Sequence, residues 1–437
     1  MCKILILDPK PNKLYRISKD TSGGYGTAND FGDTFFTKFL KKRLKKIHDW
    51  PPMHVGYIYS ILKNKGHDVV YSKNNNAQFE NYDFIILVSS IVCFETEINI
   101  LKNIKKSNNN IKVFIVGPFA TNKSEKYLLN KGIVISGEPE FFFLKENNFN
   151  NYEDGTIVKI NNDISLDDLP FPTWDQIIHD LKASTLFGNQ KTLPILATRG
   201  CPYSCFKYCV YPLQQGRTVR QRSPKNIVDE LEYFVNNLDV SSFIFRDPVF
   251  SINKNHTLEV CNEIIRRNLK INFIIETHLR ILDENLVLNL KKAGLRGVKV
   301  GIESSNLEVL KNANRFTVTK DTQVEKVKFL ESNNIEVSAM YIIGYPEDTE
   351  RTIIETLNYS IKLNTKYAQF SVWTPYPGTP VFKEYEDKII THKFEDFTQY
   401  QLVFKHKNLL PKDIRKLLSK CYDKYYLRYS WIKKNIL

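Results

Sequence analysis

Pro194-Ile195-Leu196-Ala197-Thr198-Arg199-Gly200-Cys201-Pro202-Tyr203-Ser204-Cys205-Phe206-Lys207-Tyr208-Cys209 runs from an apolar strand into a loop with three cysteines in nine residues. The strand, 194–198, opens an alternation of strands and helices. Further strands are expected at 242–246, 272–277, 297–302, 337–343 and 368–373, with helical patterns between them. One of those helices is well signalled. Ser223 suits its N-cap, Pro224 its first turn, and Ile227, Val228, Leu231, Phe234 and Val235 make one apolar face. Six βα units predict a partial parallel barrel over 191–380. Arg199, Asp247, Glu276 and Glu303 fall at the strand ends, the rim where such barrels carry their chemistry.

Upstream, 1–145 also alternates. Strands are expected at 3–7, 68–71, 84–88, 111–116 and 133–135, and helices at 54–65, 95–106 and 124–130. That spacing predicts a doubly wound parallel sheet whose ligands bind outside the carboxyl ends of its strands. Residues 11–50 interrupt the pattern. Gly23-Gly24-Tyr25-Gly26 neither follows a strand nor opens a helix, so it reads as a loop and not as a phosphate cradle. Phe35, Phe36, Phe39, Leu40, Leu44 and Ile47 form a helical stripe expected to pack on its own domain. Residues 146–190 are polar and irregular. Asp167-Asp168-Leu169-Pro170-Phe171-Pro172 reads there as a stiff linker. Residues 381–437 read as a helical C-terminal region, with Tyr422, Tyr425, Tyr426, Tyr429 and Trp431 taken for helix packing.

Of the 437 residues, 42% are hydrophobic and 25% charged, which excludes a wholly disordered chain. The longest apolar run, 84–94, is too short to span a bilayer. The N-terminus turns polar at Asp8, so no signal peptide is expected. The net charge is +14, and 405–437 sets ten Lys and Arg against Asp413 and Asp423. That excess suits either a Lys/Asn-rich composition or an acidic partner. Seven cysteines are too few and too scattered for a disulfide framework.

The cysteine loop admits three readings. Three thiolates can each hold one iron of a cubane cluster and leave a fourth iron open. Zinc would want a fourth ligand, and the nearest histidines in sequence are His179 and His256. Chance is the third.

Other motifs separate these readings. With RGCPYSC stand QGRTVRQRSPKNIVDELEYF, FRDPVF, GVKVGIESS, IIGYPEDT and TPYPGTP. The N-terminal half adds PPMHVGYIYSILKNKGHDV, VGPFAT and GEPE, and the linker LDDLPFPTWD. In this order they resemble the radical S-adenosylmethionine (SAM) superfamily, in particular the methylase-like members with an N-terminal cobalamin (B12)-binding domain. The family spacing is C-x3-C-x2-C. Here the last spacer is three residues, Phe206-Lys207-Tyr208, a one-residue expansion.

The resemblance implies an α/β chain with a Rossmann-like cobalamin-type domain, a partial (β/α)6 TIM-type barrel and a small helical C-terminus. It implies that Cys201, Cys205 and Cys209 ligate a [4Fe-4S] cluster whose open iron chelates SAM, so that reductive cleavage yields a radical. Tyr208, Asp247, Glu276, Arg280, Glu303, Ser304, Gly344 and Pro346 would surround SAM. Ser89, Ser90, Gly117, Pro118, Gly137 and Glu138 would border cobalamin. No Asp-x-His-x-x-Gly motif is present, and His54, the remaining candidate for a cobalt ligand, reads as a surface helix residue. The expected reaction is methylation of an unactivated carbon in a small-molecule, lipid or natural-product substrate. The alternatives are a radical cyclase or rearrangement enzyme and an RNA-modifying methylthiotransferase-like enzyme. Against the last, the N-terminal domain lacks a second set of three cysteines, so nucleic acid is not expected as a partner. A flavodoxin or ferredoxin would supply electrons in a reducing, cytoplasmic setting.

Overall fold

The computed structural model describes residues 1–11, 13, 15–45, 50–161, 164–178 and 190–436. Ile47 of the expected stripe and His179 lie outside them. Two six-stranded parallel sheets organise the chain, each built from βα repeats.

The first sheet comprises β1 (Lys3–Leu7), β2 (Asp68–Ser72), β3 (Phe84–Val88), β4 (Lys112–Val116), β5 (Ile133–Ser136) and β6 (Ile157–Lys159). Its order is β2-β1-β3-β4-β5-β6, and every pairing is parallel. The central strands are apolar runs buried on both faces, as a helix-covered parallel sheet requires. β6 comes from the stretch read as linker. It has three residues, two of them exposed, too little for an apolar run to announce.

Two helices precede β2, α1 (Phe35–Leu44) and α2 (Met53–Asn64). In α1, Phe36 and Leu40 pack against the core, whereas Phe35 and Phe39 are exposed. All ten residues from Met53 to Leu62 are buried, so α2 has no solvent face over that length. The linker clamps it. Trp174 is fully buried against Gly56, where an added Cβ would come within 2.6 Å of its ring. Ser60 Oγ donates to Phe171 O (2.5 Å), and Tyr59 donates to Gln176 (2.8 Å). Asp167 accepts from Ser223 N at the start of a barrel helix, tying the linker to both halves.

The second sheet comprises β7 (Thr192–Ile195), β8 (Ser242–Phe245), β9 (Asn272–Thr277), β10 (Leu295–Glu303), β11 (Glu336–Ile343) and β12 (Tyr367–Val372). The order is sequential and parallel throughout, and β7 and β12 do not pair with each other, which makes an open barrel. The expected strand at 272–277 matches β9, and the other five lie within three residues of theirs. α3 (Pro224–Leu238) has Ser223 as its N-cap and Pro224 in its first turn.

The C-terminal helix α4 (Pro411–Tyr426) covers the free edge of β12. Tyr426 Oη accepts from Ala368 N (2.9 Å) and donates to Ala368 O (2.8 Å). Tyr422 does the same for Phe370 N (3.2 Å) and O (3.0 Å). The tyrosines therefore cap alternate backbone groups of an edge strand that would otherwise be unpaired. Among the described residues, no helix is long and apolar enough to cross a membrane.

Candidate active site

The cysteine loop is fastened at its base. Thr198–Arg199 pairs antiparallel with Arg220–Gln221 and closes the loop between them. Gly200 has φ +89°, and an added Cβ there would lie 2.1 Å from Thr218 O, so no other residue fits. Asp247, at the end of β8, accepts from Ala197 N (3.2 Å) and Thr198 N. The carboxylate expected near the amino end of SAM thus holds the backbone that launches the loop. Burial pushes its pKa up to about 6.

All three cysteines are free thiols; Cys201 and Cys205 are buried and Cys209 is half-buried. Burial raises each thiol. The Arg315 guanidinium lies 3.9 Å from Cys205 Sγ and 3.4 Å from Glu303. A cation there favours a thiolate. Glu303 occupies a left-handed conformation, φ +66°, where the register between β10 and β11 shifts. Among the described residues, no three His, Cys, Asp or Glu side chains already converge as a metal-ligand set. A metal held by all three would require the loop to draw its thiols together. The donor chemistry, three free thiols beside a paired guanidinium, fits an iron–sulfur cluster.

Beside this loop lies a small cleft whose lining includes Tyr203, Cys205, His278, Arg280, Arg315 and Phe316. His278 Nδ1 accepts from Arg280 N (3.2 Å), so Nε2 carries the proton and donates to Phe316 O (2.9 Å). Burial, then Arg315, lowers its pKa to about 4. Arg280 is exposed. Tyr208 packs edge-on against Tyr345. Ser304 is buried and hydrogen-bonded to Thr356 (3.2 Å). Gly344 has φ +75° and faces Ile414 of α4, so it serves the turn and the helix contact; Pro346 follows, half-buried.

A second crevice separates the barrel rim from the carboxyl rim of the first sheet. Arginines bridge it. Arg199 pairs with Glu138 (2.8 Å) and Glu140 and lies over the Tyr57 and Phe141 rings. Arg220 also reaches Glu138 (2.7 Å). Arg246 pairs with Glu276 (2.9 Å) on β9 and Asp20 (2.8 Å) on the N-terminal insertion. Burial would raise Glu276, but Lys299 and Arg246 outweigh it and hold the carboxyl below its ordinary value.

The insertion is anchored by Lys19, which is fully buried and donates to Val88 O (2.6 Å) and Glu97 (2.8 Å). From there Gly24 rests on Pro118 and Gly26 on Ser90. Two expected cobalamin-border residues therefore lie under the chain's own segment. Ser89 and Gly117 pack on each other, with an added Cβ at Gly117 only 2.8 Å from Ser89 Oγ. Gly137 makes the positive-φ turn (φ +110°) after β5, and Glu138 lines the crevice.

His54 corrects the sequence reading. It is 5% exposed and lines the crevice, because α2 is enclosed by sheet, linker and barrel and has no surface for it. Burial, then Arg199, lowers its pKa to about 3, so the ring is neutral. Sequence reasoning also missed Arg246 and Arg315. Their sole signal was position, one beside Asp247 and the other after the fourth barrel strand.

Residues 195–360 match the family model described as the radical SAM superfamily. The barrel is a radical SAM domain. An uncharacterized methyltransferase of Pyrococcus horikoshii is 26% identical over 88% of this chain and 90% of its own length. The anaerobic magnesium-protoporphyrin IX monomethyl ester cyclase of Rubrivivax gelatinosus is 29% identical over 56% of this chain and 44% of its own. Among solved structures, the radical SAM methyltransferase TsrM of Kitasatospora setae, with tryptophan and a SAM analogue, aligns with TM-score 0.64 at 15% identity. That alignment spans 95% of this chain and 89% of TsrM. TsrM with cobalamin and a [4Fe-4S] cluster aligns at 0.59, over 89% and 78%. The likeness to TsrM extends from the radical SAM domain across the first sheet, so both halves share its architecture. Residues 195–360 thus carry the radical SAM match, and the chain has methyltransferase-named relatives.

Proposed function

We propose that this radical SAM enzyme is a cobalamin-dependent methyltransferase acting on an unactivated carbon of a small-molecule or lipid substrate. The observation that carries the reading is the opposition of two rims. Arg199, Tyr211, Gln214 and Gln215, which flank the three-cysteine loop on the barrel, line one crevice with Glu138 and Glu140 at the carboxyl edge of a doubly wound sheet, while Cys205 lines the neighbouring cavity. The relative from Pyrococcus horikoshii is named a methyltransferase, and TsrM binds both cofactors. When bound, a [4Fe-4S] cluster supplies the electron that cleaves SAM, and cobalamin supplies the methyl carrier.

This chain's residues do the holding. Cys201, Cys205 and Cys209 provide the thiolates. Gly200, Asp247 and the short ribbon fix where the loop starts. Arg315 offsets negative charge at Cys205. With SAM bound, Glu276, Arg280 and Glu303 would hold its ribose and methionine end, and Tyr208 with Tyr345 would offer an aromatic wall to adenine. Ser304, Gly344 and Pro346 shape the turns behind them. On the sheet side, Glu138, Glu140, Arg199, Gln214 and Gln215 offer donors and acceptors to the amide arms of a corrin. Arg199 and Arg246, once released, suit an acidic substrate. The partially enclosed crevice limits water around a reactive intermediate. An oxygen-labile cluster suits a reducing, cytoplasmic setting with a flavodoxin or ferredoxin as electron donor.

The test is to incubate anaerobically reconstituted protein with SAM and a strong reductant, with and without cobalamin, and to quantify products by mass spectrometry. The expected result is 5′-deoxyadenosine together with S-adenosylhomocysteine that depends on cobalamin. The cyclase relative supports a second reading, a radical cyclisation or rearrangement, and 5′-deoxyadenosine without S-adenosylhomocysteine would favour it. Neither product, with the cluster intact, would overturn both.

A further inference from the structure

α1 has two apolar faces, and the core covers one of them. Phe36 and Leu40 pack against it. Phe35 and Phe39 are 90% and 53% exposed. They lie four residues apart and so stand one above the other on the same side of the helix. A lone exposed apolar side chain is ordinary, but two bare rings on one helix face form a patch.

Basic residues surround that patch. Phe35–Leu44 contains Lys38, Lys41, Lys42 and Arg43 and no acid. At 3.6 residues per turn, Lys38, Lys42 and Arg43 fall on either side of the two rings. All three are exposed and make no ion pair among the described residues. The nearby acids are already matched. Asp30 pairs with Lys41 (3.0 Å) and Arg415 (2.9 Å), Asp33 pairs with Arg415 (2.8 Å), and Asp423 accepts from Thr34 Oγ1 (2.9 Å). α4 lies alongside. Asp33 N donates to Ser419 Oγ (3.0 Å), and the Phe36 ring lies 6.2 Å from that of Tyr426. On α4, Lys416, Lys420 and Lys424 recur every fourth residue, all exposed. The basic excess of 405–437 thus extends the margin of α1.

An apolar stripe inside a basic margin is the pattern of a helix that lies in the plane of an anionic bilayer. The charge alone would serve any polyanion. The rings select one with an apolar interior beneath its charged surface.

We propose that α1 docks the protein on the surface of an anionic lipid bilayer, with Phe35 and Phe39 inserted and Lys38, Lys42 and Arg43 at the lipid phosphates. The inference does not depend on the methyl-transfer reading above.

The test is cosedimentation of the full chain with vesicles of phosphatidylcholine alone or mixed equally with phosphatidylglycerol, at low and high salt. The expected result is binding to the mixed vesicles that falls as salt rises, and far weaker binding to phosphatidylcholine. Phe35→Ser and Phe39→Ser should each weaken binding by about tenfold. Lys38→Gln and Lys42→Gln should each weaken it by about fivefold. These side chains are exposed, so circular dichroism of the variants should match the wild type. No binding to mixed vesicles would overturn the inference. Binding that survives Phe35→Ser combined with Phe39→Ser would also overturn it, because the contact would then be charge alone. Without vesicle binding, self-association lost in that double variant would assign the face to a second copy of the chain, and RNA binding lost in it would assign the face to nucleic acid. Either result would overturn the inference.

Discussion

The two sheets have the same number of strands and the same parallel pairing, yet their rims leave different atoms available. On the barrel rim Asp247 is matched by backbone donors, Arg246 by Asp20 and Glu276, and Arg315 by Glu303. The same rim carries sulfur, in three free cysteines on one fastened loop. On the rim of the first sheet, Glu138 is matched by Arg199 and Arg220, Ser89 accepts from Ala120 N, and His54 Nε2 and Ser90 Oγ have no hydrogen-bond partner. Matched charges build the crevice and orient it, whereas the thiols are the donors that suit a metal cluster. The lesson is that site chemistry here is read from the unpaired atoms and not from the conspicuous charges.

The largest effect that would break this comparison is loss of a thiol. Cys201→Ala, Cys205→Ala or Cys209→Ala should each abolish iron retention and SAM cleavage, with iron content per chain as the readout, while circular dichroism stays unchanged. Retention of iron by Cys209→Ala would remove that residue from the donor set and blur the contrast between the rims.

Asp247→Ala comes next. It orphans two buried backbone donors at Ala197 and Thr198, which should cost about 1–3 kcal/mol per donor and loosen the cysteine loop. Chemical denaturation would measure the first effect and limited proteolysis near residue 203 the second. Full stability in Asp247→Ala would mean that the carboxylate is available to ligand after all.

The sheets also differ at their edges. β6 is a three-residue strand with exposed ends, while β12 is capped along its backbone by tyrosine hydroxyls. Tyr422→Phe and Tyr426→Phe should each cost about 1 kcal/mol and speed hydrogen exchange at the Phe370 and Ala368 amides respectively. Exchange rates that do not move would show that the ring packing, and not the hydroxyl, closes the barrel edge.

The smallest effect concerns pH. His278 has a folded pKa of about 4 against an ordinary value of 6.5, so the unfolded chain binds the proton more readily. Its contribution is present above pH 6.5 and lost as pH falls toward 4. Between pH 7 and pH 6 the loss should be under about 1 kcal/mol. His278→Gln should flatten that part of the stability–pH curve. An unchanged slope would assign the dependence elsewhere.

Much of the barrel was legible because its strands carry buried apolar residues bounded by turns, continuous in β8 and alternating in β11 and β12. Asn272–Thr277 is where the expected bounds match. The cysteine loop was legible because it is local in sequence. The rest depends on partners far along the chain. Lys19 would pass for a surface lysine until Val88 and Glu97 fold around it. His54 reads as exposed because polar residues usually mark a solvent face, and α2 has none. The tyrosines of α4 pattern as helix packing, and they do pack, but their hydroxyls serve a strand more than fifty residues away. The insertion over Ser90 and Pro118 left no periodic trace, so the expected cobalamin border was drawn along a rim that the chain partly covers itself.

The most direct test of the account is electron paramagnetic resonance of the anaerobically reconstituted, reduced protein, recorded with and without SAM and normalised to iron content. The account predicts about four irons per chain in a [4Fe-4S] signal that SAM shifts, because one iron has no protein thiolate and SAM can occupy it. A signal that SAM leaves unchanged, or a mononuclear metal held by the three thiols, would contradict it.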